Sequence, residues 1–149
     1  MTMKHPAIAS LLAGAALMVS ACGTAVTADD PPAKIIPVAG SHIPRLQLTS
    51  EAVKRLGIAT QAVRAAPQAA GTTGAREVIP YSAVVYDTEG STWTFVNTAA
   101  RTYVRQPITI TAIHGNIALL AAGPPAGASV VTVGADELLG TEYNISGEE

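Results

Sequence analysis

The sequence predicts a mainly β fold: a small antiparallel β-roll or barrel-like domain with one short helix near its N-terminus. Apolar and polar residues alternate in "STWTFVN" (91–97) and "ITITAI" (108–113), the signature of half-buried strands. The turn signals "DTEG" (87–90), "HGN" (114–116) and "GPPAG" (123–127) cut the second half into strand-length pieces. One stretch, "TSEAVKRLG" (49–57), carries both start and stop signals of a helix.

Taken in order, residues 1–21 have Lys4 and His5, then the apolar run "PAIASLLAGAALMV" and small residues before Cys22. That is the pattern of a secretory signal, too short to span a bilayer comfortably. "VSAC", Val19 to Cys22, resembles the bacterial lipobox, in which the cysteine thiol is lipidated and the chain is cut before it. Cys22 is therefore the expected lipid-attachment residue. Several acyl chains (palmitate-class groups) would hold the protein stably to a membrane, where one binds only marginally. Residues 22–44 hold four of the ten prolines and no periodicity, and read as a flexible tether. Fully extended, such a tether spans tens of ångströms, at about 3 Å per residue.

The folded part is expected over 45–143. Leu46 and Leu48 alternate, Thr49 or Ser50 caps the helix, Glu51 sits in its first turn, Lys54 and Arg55 lie near its end, and Gly57 stops it. Residues 58–63 then alternate as a strand. The connection 65–77, "AAPQAAGTTGARE", has neither apolar bulk nor strong turn chemistry and reads as a surface loop. "EVIPYSAVVY" (77–86) is β-rich, with Pro80 marking an edge, a bulge or a strand start. Its partner in a hairpin is "STWTFVN", with Trp93 and Phe95 on one face and Thr92, Thr94 and Val96 on the other. Strands at "TYVRQPITITAI", "IALLAA" and "ASVVTVG" complete a meander. "ADELLG" forms a last helical turn ending at Gly140, and the segment after it, "TEYNISGEE" (141–149), whose end 144–149 is an acidic tail, is expected to fray.

Charge and composition exclude several functions. The chain carries 9 Lys and Arg against 11 Asp and Glu; without residues 1–21, which contain only Lys4 among these, the formal net charge is −3. No basic cluster suits a phosphate backbone, so no nucleic-acid partner is expected. A single cysteine forms no disulfide within one chain.

Nor do the residues suggest an enzyme, a metal site or a cofactor. His5, His42 and His114 fall in the signal, the tether and a turn, and no two share ligand spacing. Asp136 and Glu137 are neighbours at a helix start, about 100° apart around the axis, not facing carboxylates across a cleft. Ser82, Ser91 and Ser129 lack a glycine elbow and a partnered histidine. No phosphate-cradling glycine pattern is present. The aromatics Tyr81, Tyr86, Trp93 and Phe95 suit either sheet packing or a partner-binding face, since tyrosine and tryptophan concentrate at interface centres.

Four phrases in this order, "LTSEAVKRLGIATQAV" (48–63), "VIPYSAVVYDTEGSTWTFV" (78–96), "YVRQPITI" (103–110) and "GPPAGASVVTVGADELLG" (123–140), carry a resemblance. They look like the membrane-proximal domain of the periplasmic adaptor subunits, or membrane fusion proteins, of RND-type efflux pumps. The paired signals are P-x-x-A-V at Pro80 to Val84 and G-x-x-x-G-x-x-V-V-x-x-G at Gly123 to Gly134. In that family both ends of the chain build the membrane-proximal domain, and a barrel, a lipoyl domain and an α-hairpin are inserted between them. The loop 65–77 stands where those insertions would be. The resemblance implies a lipid-anchored, extracytoplasmic protein of the bacterial envelope that docks on an efflux transporter without reaching an outer-membrane channel. The alternative is a lipid-tethered β-domain that binds a small ligand or envelope component in a pocket near Trp93 and Phe95. The oligomeric state is left open by the sequence.

Overall fold

The computed structural model describes residues 31–66 and 77–145. The expected signal, Cys22, the first part of the tether, the middle of the 65–77 connection and the last four residues lie outside the described residues.

The fold is mainly β, in two antiparallel sheets. The N-terminal half supplies β1 (Ala33–Ile36), β2 (Arg45–Leu48), α1 (Ser50–Leu56), β3 (Ala59–Ala62) and β4 (Arg64–Ala65). After the connection come β5 (Glu77–Pro80), a 3-10 turn (Tyr81–Ala83), β6 (Val85–Tyr86), β7 (Thr92–Ala99) and β8 (Thr102–Pro107). The chain ends with β9 (Thr109–His114), β10 (Ile117–Ala122), β11 (Ser129–Val133) and α2 (Ala135–Ile145). The larger sheet runs β1-β2-β8-β7-β11-β3, with β6 sharing one edge of β7 with β11. The smaller runs β4-β5-β10-β9.

The strand β7 explains this layering. Successive side chains on a strand point to opposite faces, and on β7 both faces are buried. Phe95, fully buried, packs with Leu46, Leu48, Tyr103 and Val131 and with Ala52, Ala135 and Leu138 from the two helices. Val96, next in sequence, packs with Val130 and with Ile79, Ala118 and Leu120 of the smaller sheet. Val130 and Val131 divide between the two cores in the same way. Helices therefore cover one face of the larger sheet, and the smaller sheet covers the other.

The two halves of the chain are woven together. β2 pairs with β8 (Leu46↔Tyr103), β3 with β11 (Thr60↔Val131), and β4 with β5 across the connection (Arg64↔Val78, Ala65↔Glu77).

The helix α1 follows its local signals. The Thr49 hydroxyl accepts from the Ala52 N–H at 3.1 Å, and Gly57 closes the helix at φ 63°. A two-turn helix is not stable alone, and Ala52 docks it on the core. Gly134 joins β11 to α2 at φ 86°, a left-handed conformation that favours glycine, and a Cβ there would have to displace the end of the Ile58 side chain.

Two local expectations need correcting. Part of the tether reading fails: Ala33–Ile36 is a strand paired antiparallel with β2, because Ile35 packs against the core beside Leu46 and Leu48. Pro80 closes β5 opposite Ile117 of β10, beyond the reach of β4, which opposes only Glu77 and Val78, so it stands at an edge point of the strand as expected and leads into the 3-10 turn. The final helix does not stop at Gly140; α2 continues to Ile145, since Glu142 and Tyr143 are anchored by Arg105 of β8.

Thr94, on the Val96 face of β7, is fully buried, and its hydroxyl has no hydrogen-bond partner among the described residues. An unpaired buried hydroxyl costs about 1–3 kcal/mol. Urea unfolding of Thr94→Val is expected to show stability unchanged or raised by about 1 kcal/mol, whereas Phe95→Ala loses about 3–5 kcal/mol. A Thr94→Val variant destabilised by more than about 1 kcal/mol would mean that the hydroxyl is satisfied in solution.

Candidate functional site

The turn between β6 and β7 is organised by Asp87. Its Oδ1 accepts from the N–H groups of Glu89 (3.0 Å) and Ser91 (2.8 Å), and its carbonyl accepts from Gly90, which takes φ 82°. This is the Asx-type closure the "DTEG" signal implies. Its Oδ2 accepts from Trp93 Nε1 at 2.8 Å, which fixes the indole on the sheet. Desolvation alone would push the Asp87 carboxyl up, but the bonds from Trp93, Ser91 and Glu89 and the nearby Arg105 together hold it below its ordinary value.

Arg105 lies over the Trp93 ring, 4.3 Å from its centroid, a cation–π contact. One guanidinium nitrogen pairs with Glu142 at 3.1 Å and another donates to the Tyr143 hydroxyl at 3.3 Å. Both charged side chains are nearly buried, at 11% and 7% exposure. Burial pushes the Glu142 carboxyl above the usual range, and Arg105 opposes that rise. This cluster borders a cavity of about 430 Å³ that Pro37, His42 and Pro44 also line. It ties the sheet to the end of α2, and Arg105, Glu142 and Tyr143 went unnoticed in the sequence because residues 37 or 38 positions apart give no local pattern.

The four aromatics singled out from the sequence separate. Phe95 is fully buried in the helix-side core and is not a contact residue, which corrects that half of the expectation. Trp93 is half-buried and engaged by Asp87 and Arg105. Tyr81 and Tyr86 are exposed, at 39% and 47%, and their hydroxyls meet at 3.3 Å. That hydrogen bond, then slight burial, raises the Tyr86 phenol above its ordinary value. The Tyr81 N–H donates to the Asn116 carbonyl at 2.7 Å, which sets the tyrosine pair beside the β9–β10 turn.

That hairpin is uncharged. Between Arg105 and Asp136 the chain contains no Lys, Arg, Asp or Glu, and His114 is its only ionisable side chain. The end of β9 exposes Ile113 at 47%. Tyrosines next to a charge-free hairpin have the composition of an interface centre, where charge is depleted and tyrosine enriched. The concavity expected near Trp93 and Phe95 reduces to an open pocket of about 500 Å³ lined by Trp93 and residues 107–110, which Phe95 does not reach. Among the described residues, no group of three His, Cys, Asp or Glu could hold a metal ion, and no helix is long and apolar enough to cross a membrane.

Compared with family models, with curated proteins and with solved structures, the chain finds no match in any of the three.

Removing Arg105 would take a charged partner from the buried Glu142 carboxylate. Arg105→Met is expected to lose about 3 kcal/mol near neutral pH, as for a broken buried pair. Because the folded pKa of Glu142 is raised, the native chain holds its proton to higher pH than the unfolded chain does. The stability this contributes is present below the unfolded carboxyl value and lost as pH rises. The gap in melting temperature between Arg105→Met and the parent should therefore narrow from pH 7.5 to pH 5. A gap that widens would show that Glu142 is not buried as described.

Proposed function

We propose that this protein is a lipid-anchored, extracytoplasmic accessory subunit that docks on an RND-type efflux transporter through its β-domain. The observation that carries the reading is the weave of the two halves. β2 and β3 enter the same sheet as β8 and β11, and β4 meets β5 where the 65–77 connection leaves and returns. In the adaptor family the chain resembles, both ends of the chain likewise build one domain, with the long-reach elements between them. Here a short connection stands in that place, so the protein has a docking domain without an arm to a distant channel.

The Tyr81–Tyr86 pair and the charge-free hairpin beside it supply the contact surface on this reading. Cys22 supplies the membrane attachment through its acyl groups. Docking is then a two-part event, with the lipid raising the local concentration and the tyrosine surface selecting the partner.

A photo-crosslinking residue at Tyr81 or Tyr86, introduced in the producing cells, is expected to give adducts with an RND transporter subunit identified by mass spectrometry. The same residue at exposed Lys54 on α1 should give none. Mass spectrometry of the mature N-terminus should find diacylglycerol on Cys22. Adducts equally abundant from Lys54, or none with a transporter from either tyrosine, would refute the docking surface.

A further inference from the structure

His114, the one ionisable side chain of the charge-free stretch, is exposed and its place is fixed by the backbone. Gly115, at φ 59°, and Asn116 form a two-residue turn between β9 and β10, which sets His114 opposite Ile117. Ile117 in turn stands opposite Pro80 of β5. The three residues therefore make one row across three strands, on one face of the smaller sheet. Tyr81 follows Pro80, and the bond from its N–H to the Asn116 carbonyl holds the tyrosine pair against the same turn.

The surroundings of this imidazole are poor in charge. The next row on its face is Val78, Leu119 and Ala112. Strand β10 has no ionisable side chain. On β5, Glu77 lies three residues from Pro80 and so points to the other face. On β4, Arg64 stands opposite Val78, three strands away from β9. The phenols of Tyr81 and Tyr86 hydrogen-bond to each other. Among the described residues of this sheet, no carboxylate shares the face of His114.

Resting on the docking reading above, we propose that His114 makes that docking pH-sensitive: the neutral imidazole lets the tyrosine surface engage an apolar, carboxylate-free surface of its partner, and the imidazolium opposes it. Contact would take the ring out of water, and its charged form would lose hydration without gaining a counter-ion. Histidine is the side chain whose ordinary titration falls between about pH 5 and 8. The docked state then binds fewer protons than the free state, so affinity falls as pH falls, by at most about tenfold per pH unit for one proton.

The test places the photo-crosslinking residue at Tyr86 of the full, acylated chain in the producing cells, and compares transporter adducts after a brief shift of the medium to pH 7.5 or pH 5.5. The yield is expected to fall several-fold at pH 5.5. Emission of Trp93, the single tryptophan, measured on the purified chain at both pH values, reports that the fold is intact. His114→Gln should make the ratio of the two yields approach one, and His114→Lys, charged at both pH values, should keep the yield low throughout. A parent yield that is equal or higher at pH 5.5, a His114→Gln ratio like the parent's, or a His114→Lys yield matching the parent at pH 7.5 would each overturn the pH gate while leaving docking in place. Absence of transporter adducts at both pH values would overturn the docking reading itself, and the gate with it.

Discussion

Burial of β7 on both faces is the constraint on which the architecture depends. A strand with Phe95 on one side and Val96 on the other needs an apolar layer on each. With 149 residues and no disulfide available, neither layer is large. The N-terminal half supplies much of the first through Leu46, Leu48 and Ala52. The hairpin of β9 and β10, with β5, supplies much of the second. Neither half buries its apolar residues without the other, which is why two stretches on either side of the 65–77 connection form one set of sheets.

At the edge of the helix-side core the protein uses charge rather than apolar packing. Arg105 is held between the Trp93 ring and the Glu142 carboxylate, with Asp87 fixing the indole from beyond. A buried pair of this kind contributes little net stability over an apolar substitute, but breaking one partner is costly. Its effect is positional: it carries α2 one turn past Gly140 and fixes where the helix lies over β1 and α1.

Local physics was legible in the sequence wherever the signal lay within a few residues. Thr49, Glu51 and Gly57 specify α1, and Asp87 and Gly90 specify the turn before β7, because caps and turns act over three or four positions. Alternation located β7 and β9. The role of "AKII" was hidden, since four residues among prolines carry no periodicity, and only pairing with β2 makes them a strand. The length of α2 was hidden for a similar reason: glycine and a polar tail oppose helix locally, and the compensating contact comes from Arg105, far away in sequence. Alternation placed Trp93 and Phe95 on one face without telling which was covered. Proximity to the helices buries Phe95, while Trp93 lies further out, at the charged rim.

The functional reading places recognition at the charge-free end of the molecule and attachment at the opposite end of the chain's logic, on Cys22. Both uses require that the two halves behave as one body, so that a contact made by the hairpin of the smaller sheet is held, through the shared core, by the larger sheet that carries β1 and β2. Hydrogen exchange of the intact chain, followed residue by residue, tests this most directly. Paired amides of β2 are expected to exchange with the same protection as those of β7 and β8, all through global unfolding. Amides of β2 that open at far lower free energy while β7 and β8 remain protected would show two loosely joined parts, and would contradict one-body behaviour.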